Sequence, residues 1–277
     1  MAWLGNPYKI TEPCAVSFSG GRSSAFMLKQ IIDAHGGTLP DYCVVTFANT
    51  GKEMPQTLDF VRDCGEQWGV DIVWLEAEVS MADEESKNKY SYETKIVDHA
   101  TAARNGEPFA SLLKTLGYLP NPMTRFCTDK LKISRIKDYM NTLHDDWINV
   151  VGLRADEPRR TAKMKDRKDV YLPMNEAGHG KIDVSAFWER QYFDLNLPND
   201  NGKTAWGNCD LCFLKGHGIK TSIIREKPEL VDWWIKQEEL AGDVFCRNKP
   251  SYKMLRDNES SQSNMFDDDA IDCFCTD

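Results

Sequence analysis

The chain has 277 residues, a formal net charge of −9, 41% hydrophobic residues, nine cysteines and eight tryptophans. The negative charge speaks against broad electrostatic binding of nucleic acid, and no stretch is apolar for long enough to span a bilayer. The N-terminal residues lack a charged-then-apolar leader pattern, so a cytoplasmic protein is expected, with thiols that are free or metal-bound rather than paired as disulfides.

In chain order, the first predicted element is a buried strand from Cys14 to Phe18. It breaks at Ser19-Gly-Gly-Arg-Ser-Ser24, and an amphipathic helix is predicted from Ser24 to about His35. A strand turning on glycines into a helix N-terminus is an anion site, where free backbone N–H groups, the helix dipole and hydroxyls converge. Glycines there let the backbone approach a phosphate that a Cβ would obstruct. The spacing is not that of a Walker loop or of a Gly-x-Gly-x-x-Gly fingerprint.

A second buried strand is predicted over Tyr42–Asn49, running into Asn49-Thr50-Gly51. A helix over Gln56–Gly69 and a strand over Asp71–Glu76 follow. The polar stretch from Met81 to Gly106 is predicted as a helical insertion or lid. A helix over Lys130–Asn141 leads to a strand over Trp147–Gly152, which runs into Leu153-Arg-Ala-Asp-Glu-Pro-Arg-Arg160. The segment Arg154–Lys168 is strongly basic within an acidic chain, and it reads either as a solvated loop or as a ligand contact. Two surface helices, Lys215–Glu226 and Glu229–Ala241, carry Trp233 and Trp234, and the tail from Asp257 is acidic.

Strands alternating with helices predict an α/β fold with a doubly wound parallel sheet, whose ligands sit at the carboxyl ends of the strands. The division expected is a nucleotide-binding domain over 1–185, a Cys-x-x-Cys helical extension over 186–256 and a cysteine-containing tail over 257–277.

Ser19–Ser24 resembles the PP-loop of the adenine-nucleotide alpha hydrolases, Ser-Gly-Gly-x-Asp-Ser, with Ser23 in place of the usual acidic residue. Phe47-Ala-Asn-Thr-Gly-Lys-Glu-Met-Pro-Gln-Thr57 resembles the Thr-Gly-x-x-x-Pro-x-Thr signature of phosphoadenylyl-sulfate (PAPS) reductase-like proteins. Arg125-Phe-Cys-Thr-Asp-Lys-Leu-Lys132, and Gly152-Leu-Arg-Ala-Asp-Glu157 with Arg159 and Arg160, are similar to two further segments of that family. The resemblance implies an adenine nucleotide, ATP with Mg2+ or PAPS, and sulfur-related chemistry. The residues it implies for binding are Ser17, Ser19, Gly20, Gly21, Arg22, Ser23, Ser24, Phe47, Asn49, Thr50, Gly51, Lys132, Gly152, Arg154 and Arg160. Arg154 and Arg159 are the candidate catalytic cations, since a guanidinium fork grips oxyanions bidentately.

Cys209-Asp-Leu-Cys212 can bring two sulfurs to one metal centre, and Cys127 lies at a predicted helix start that favours a thiolate. The family's iron–sulfur branches imply a [4Fe-4S] cluster on Cys127, Cys209 and Cys212, with Cys275 or Cys273 as a fourth ligand. Zinc and a redox dithiol are the alternatives, because soft thiolate sets suit each. Cys14, Cys43 and Cys64 are assigned to the core, and Cys246 has no assigned role.

Three functions follow. An ATP pyrophosphatase would adenylate an acceptor, tRNA or DNA among the candidates, and let sulfur from a donor protein displace AMP. A sulfonucleotide reductase would use Cys273 or Cys275 as nucleophile with a thioredoxin-like reductant, although the family's Glu-Cys-Gly-x-His tail is absent and flanking aspartates disfavour the thiolate. A nucleotide-binding subunit without turnover is the third.

Overall fold

A computed structural model describes residues 5–82, 89–199 and 204–259. The tail cysteines Cys273 and Cys275 lie outside the described residues.

The described residues build a six-stranded sheet flanked by helices. Strand β1 (Cys14–Ser17) turns at the glycines into helix α1 (Arg22–Ala34), and β2 (Cys43–Ala48) leads to α2 (Pro55–Trp68). Strand β3 (Ile72–Met81) pairs in antiparallel register with β4 (Tyr90–Val97), and α3 (Glu107–Leu116) packs back on β3. A three-residue turn of helix, α4 (Phe126–Thr128), opens into a π-helical segment, Asp129–Ile133, and then into α5 (Ser134–Met140). Then come β5 (Ile148–Val151), α6 (Pro158–Ala162), β6 (Val170–Tyr171), α7 (Pro173–Glu176) and α8 (Lys181–Trp188). Helices α9 (His217–Glu226), α10 (Val231–Ala241) and α11 (Tyr252–Glu259) complete the described chain.

The strand order is β4-β3-β2-β1-β5-β6, parallel except for β4. The chain winds outward from β1 to β3, then returns to place β5 on the other side of β1. That reversal opens a crevice beyond the carboxyl ends of β1 and β5, where such sheets bind ligands. Two-sided burial explains the near-continuous apolar runs of Cys14–Val16 and Val45–Phe47.

Two expectations are corrected. The Met81–Gly106 stretch is not helical where it is described. Tyr90, Tyr92, Thr94 and Ile96 alternate along an edge strand, the pattern of residues that suit a pleated, half-buried surface. Trp234 is not on a surface helix face: it is fully buried, and its Nε1–H donates to Asp210 at 2.8 Å.

Candidate functional site

The PP-loop is held open by its own hydroxyls. The Ser24 Oγ donates to the Gly21 carbonyl at 3.0 Å, lies 2.9 Å from the Ser19 Oγ and accepts the Ser19 N–H at 3.2 Å. Gly20 takes φ +78°, and a Cβ on it would stand 2.6 Å from the Thr57 Cγ2, so α2 packs directly beneath the turn. Gly21 caps α1 with extended backbone, leaving the leading N–H groups of the helix without intrahelical acceptors. Such a helix end suits an anion, and here its residues are buried.

Across the crevice, the loop after β5 packs tightly against the same helix. A Cβ on Gly152 would come within 3.1 Å of the Ser24 Cα. This closeness lets Arg154 Nη1 donate to the Ser23 Oγ at 3.0 Å. Asp156 accepts from Arg154 Nε at 2.9 Å, and Glu157 accepts the Arg154 backbone N–H at 3.0 Å while also pairing with Arg160. Burial alone would raise the Asp156 carboxyl, but the Arg154 guanidinium and the Lys181 N–H hold it below its ordinary value. Arg160 is buried and Arg159 is exposed on α6.

Below this cationic rim lies an apolar cavity of about 180 Å³, lined by Phe18, Ala48, Ile133, Val151 and Leu153 among others, with Ser17 and Ser19 at its polar end. Ser17 Oγ donates to Asn149 Oδ1 at 2.7 Å. Arg167, from the basic segment, also reaches this cavity and pairs with Asp169 at 3.1 Å. Asn149, Met164 and Arg167 carried no motif signal; only the run of basic residues pointed at Arg167.

A second cavity of about 20 Å³ adjoins the first, with Thr128 and Lys132 lining both. Cys127, Cys209 and Cys212 all line it, together with Thr50. The π-helical turn places this shared wall, and Arg135 stabilises its opened carbonyls by donating to Lys130 O at 3.0 Å. Lys132 reaches Glu53 Oε1 at 3.2 Å, and Thr50 Oγ1 donates to Glu53 and lies 3.5 Å from the Cys209 sulfur.

The Cys-x-x-Cys loop is pinned to the loop after β2. Glu53 and Cys209 form an antiparallel bridge, Asp210 donates its N–H to the Lys52 carbonyl at 2.7 Å, and Lys52 pairs with Asp210 at 2.8 Å in the interior. Burial pushes the Asp210 carboxyl up, against the pull of Lys52.

Three soft sulfur donors around one cavity are chemically suited to an iron–sulfur or zinc centre. In this arrangement, no three His, Cys, Asp or Glu side chains among the described residues stand close enough to hold a metal ion. The donor type fits and the present spacing does not.

Several expected binding residues turn inward instead. Arg22 is buried, and its guanidinium pairs with Asp194 at 2.5 Å and donates to Thr204 at 2.7 Å, so only its backbone N–H faces the nest. Asn49 is fully buried: its amide donates to Glu76 at 2.6 Å and to Ala103 O at 2.8 Å, and its Oδ1 accepts the Gly51 N–H. Phe47 packs edge-on against Trp74, 4.8 Å between ring centroids. Gly51, at φ +78°, lies against the Gly106 backbone. These residues shape the loop and leave the cavity surface to their neighbours.

A parallel sheet with a glycine–serine nest at its switch point and an arginine loop opposite defines a PP-loop protein of the adenine-nucleotide alpha hydrolase-like fold. The model of the phosphoadenosine phosphosulfate reductase domain matches residues 13–168, more than half of the chain, and the protein belongs to that family. An uncharacterised nin-region protein of Escherichia phage lambda is 30% identical over 202 residues, covering 72% of this chain and 65% of its own length. An uncharacterised protein of Methanocaldococcus jannaschii is 24% identical over 242 residues, covering 84% of this chain and 43% of its own. The chain thus spans less than two thirds of either relative.

Proposed function

We propose that this chain is a PP-loop enzyme that binds ATP, adenylates an acceptor and lets a sulfur nucleophile displace AMP. One observation supports this reading: the apolar cavity, which Ser19 of the loop lines, and the three-thiol cavity share a wall, so a nucleotide bound in the first would stand beside the thiols. The base occupies the apolar cavity, and the β- and γ-phosphates rest on the N–H groups of Gly21, Arg22 and Ser23, where a nest of amides neutralises charge. Arg154 spans the same end of α1 and Lys132 adds a point charge at the shared wall, which places cations around the α-phosphorus. An acceptor oxygen attacks that phosphorus, pyrophosphate leaves toward the nest, and the sulfur nucleophile then expels AMP. Orientation and fixed positive charge supply the catalysis in such displacements. Bound Mg2+ would neutralise the leaving pyrophosphate. An iron–sulfur centre, if held by Cys127, Cys209 and Cys212, would serve sulfur handling beside the adenylate. Cysteines that form no disulfide among the described residues suit a cytoplasmic setting. No described helix is long and apolar enough to cross a membrane.

Sulfonucleotide reduction is the second reading, favoured by the same adjacency of thiols and nucleotide. Its acceptor would be a cysteine attacking the sulfate sulfur. Calorimetric titration of anaerobically prepared protein with ATP plus Mg2+, and separately with PAPS, decides between the two. Tight ATP binding with acceptor-dependent pyrophosphate release supports adenylation. Preference for PAPS overturns it in favour of reduction, and binding without turnover of either nucleotide identifies a non-catalytic nucleotide-binding subunit.

A further inference from the structure

Two carboxylates of the Gly-Leu-Arg-Ala-Asp-Glu segment hold Arg154: Glu157, which accepts its backbone N–H and pairs with Arg160, and Asp156, which ties it to a separate helix. One Asp156 oxygen accepts from Arg154 Nε at 2.9 Å and the other accepts the Lys181 N–H at 3.1 Å, at the first turn of α8. Gly180, immediately before that helix, lies close enough that a Cβ there would stand 3.5 Å from the Asp156 carboxyl carbon. Arg154 is thereby fixed on one edge by Asp156 while its Nη1 reaches the Ser23 Oγ at 3.0 Å. The loop is also tied to the segment leading into that helix, since the Ala155 N–H donates to the His179 carbonyl at 2.9 Å.

We propose that Asp156 is a positioning residue for oxyanion binding: it anchors Arg154 to the start of α8 so that the guanidinium meets a phosphate already oriented. The inference rests on the reading of this crevice as a nucleotide site. An arginine carries high rotamer entropy, and its planar fork is useful only when aimed. A carboxylate held by a helix N-terminus is a fixed counterpart that removes this freedom before the ligand arrives.

A second carboxylate supplies the control. Asp183 also binds the start of α8, accepting the Gly180 N–H at 2.8 Å, but no contact joins it to Arg154. If Asp156 served only to cap the helix, losing either carboxylate would have the same consequence. Four variants, Asp156→Asn, Asp183→Ala, Arg154→Ala and Asp156→Glu, are titrated calorimetrically with ATP plus Mg2+ and with PAPS, and their melting temperatures are recorded. Asparagine keeps an acceptor for the Lys181 N–H and removes the charge facing Arg154. The expected result is a loss of affinity in Asp156→Asn of about tenfold or more, the scale of a charge-assisted hydrogen bond. Asp183→Ala lowers the melting temperature and leaves affinity unchanged, and Asp156→Glu recovers part of the affinity. Affinity unchanged in Asp156→Asn but lost in Arg154→Ala overturns the positioning role and leaves the nucleotide site standing. Affinity unchanged in Arg154→Ala overturns the site reading itself, and the positioning role with it.

Discussion

Gly20 and Gly21 are adjacent in the phosphate nest but answer to different constraints. Gly20 sits at φ +78° with the Thr57 methyl where a Cβ would be, so Gly20→Ala is a folding lesion. A loss of about 1–3 kcal/mol is expected, read as a lower denaturation midpoint. Gly21 has φ −99° and ψ 161°, open to any residue, so Gly21→Ala keeps its melting temperature and loses ATP affinity as the new methyl meets the phosphate. A Gly21→Ala protein that binds ATP normally refutes the nest. Glu76 is a second case. It accepts from Asn49 Nδ2 at 2.6 Å and the Ala103 N–H at 2.7 Å, yet burial raises its carboxyl above the ordinary value of 4.5. The folded state therefore holds this proton more firmly than the unfolded chain, and stability falls as pH rises from about 4.5 through the raised value. Glu76→Gln, which keeps an acceptor without the charge, should gain in melting temperature over wild type as pH increases across that window; a pH-independent difference contradicts the assignment. The hydroxyls of Ser19, Ser23 and Ser24 were legible in the sequence because they belong to one turn. That Arg22 and Asn49 face inward was not, because their partners Asp194 and Glu76 are remote in the chain.

At the scale of elements, most strands and helices of the central sheet were legible from periodicity and turn residues with ends displaced by a residue or two, although β3 runs five residues past the expected Glu76. Two strands were not read: the two-residue β6, and β4, whose polar, charged sequence hides an alternation that only pairing with β3 makes sense of. Glu78 lies opposite Glu93 there, and Lys95 reaches Glu78 at 2.7 Å to offset the like charges. The connection between the loop after β2 and the Cys-x-x-Cys loop is the element-scale feature with the clearest consequence. Lys52 and Asp210 form a buried pair, and Trp234 donates to the same carboxylate. Removing one partner leaves an uncompensated buried charge, so Asp210→Ala should cost about 3–5 kcal/mol. It should also release the loop, so that Cys209, buried in the native protein, reacts faster with a thiol reagent. Unchanged stability and unchanged thiol reactivity would show that the pair does not hold the loop.

Across the whole molecule, the strand order puts β1 between β2 and β5, and this alone makes the PP-loop and the arginine loop neighbours. The same winding brings Cys127, Cys209 and Cys212 to one cavity although they come from α4 and a loop some eighty residues later. Metal analysis of anaerobically prepared protein tests the proposed centre: iron with acid-labile sulfide, lost in Cys209→Ser, would require the three thiols to close on a cluster, whereas protein free of metal agrees with the spacing seen here and removes the cluster from the proposal. The sequence by itself determined the alternation of strands and helices, the anion-binding character of Ser19–Ser24 and the family, because each depends on residues close together in the chain. Only the tertiary structure decided which motif side chains face the apolar cavity, that Asp156 ties Arg154 to the start of α8, and that three thiols line the adjoining cavity. Those facts depend on contacts between distant segments, whose geometry is set by how the sheet and helices pack.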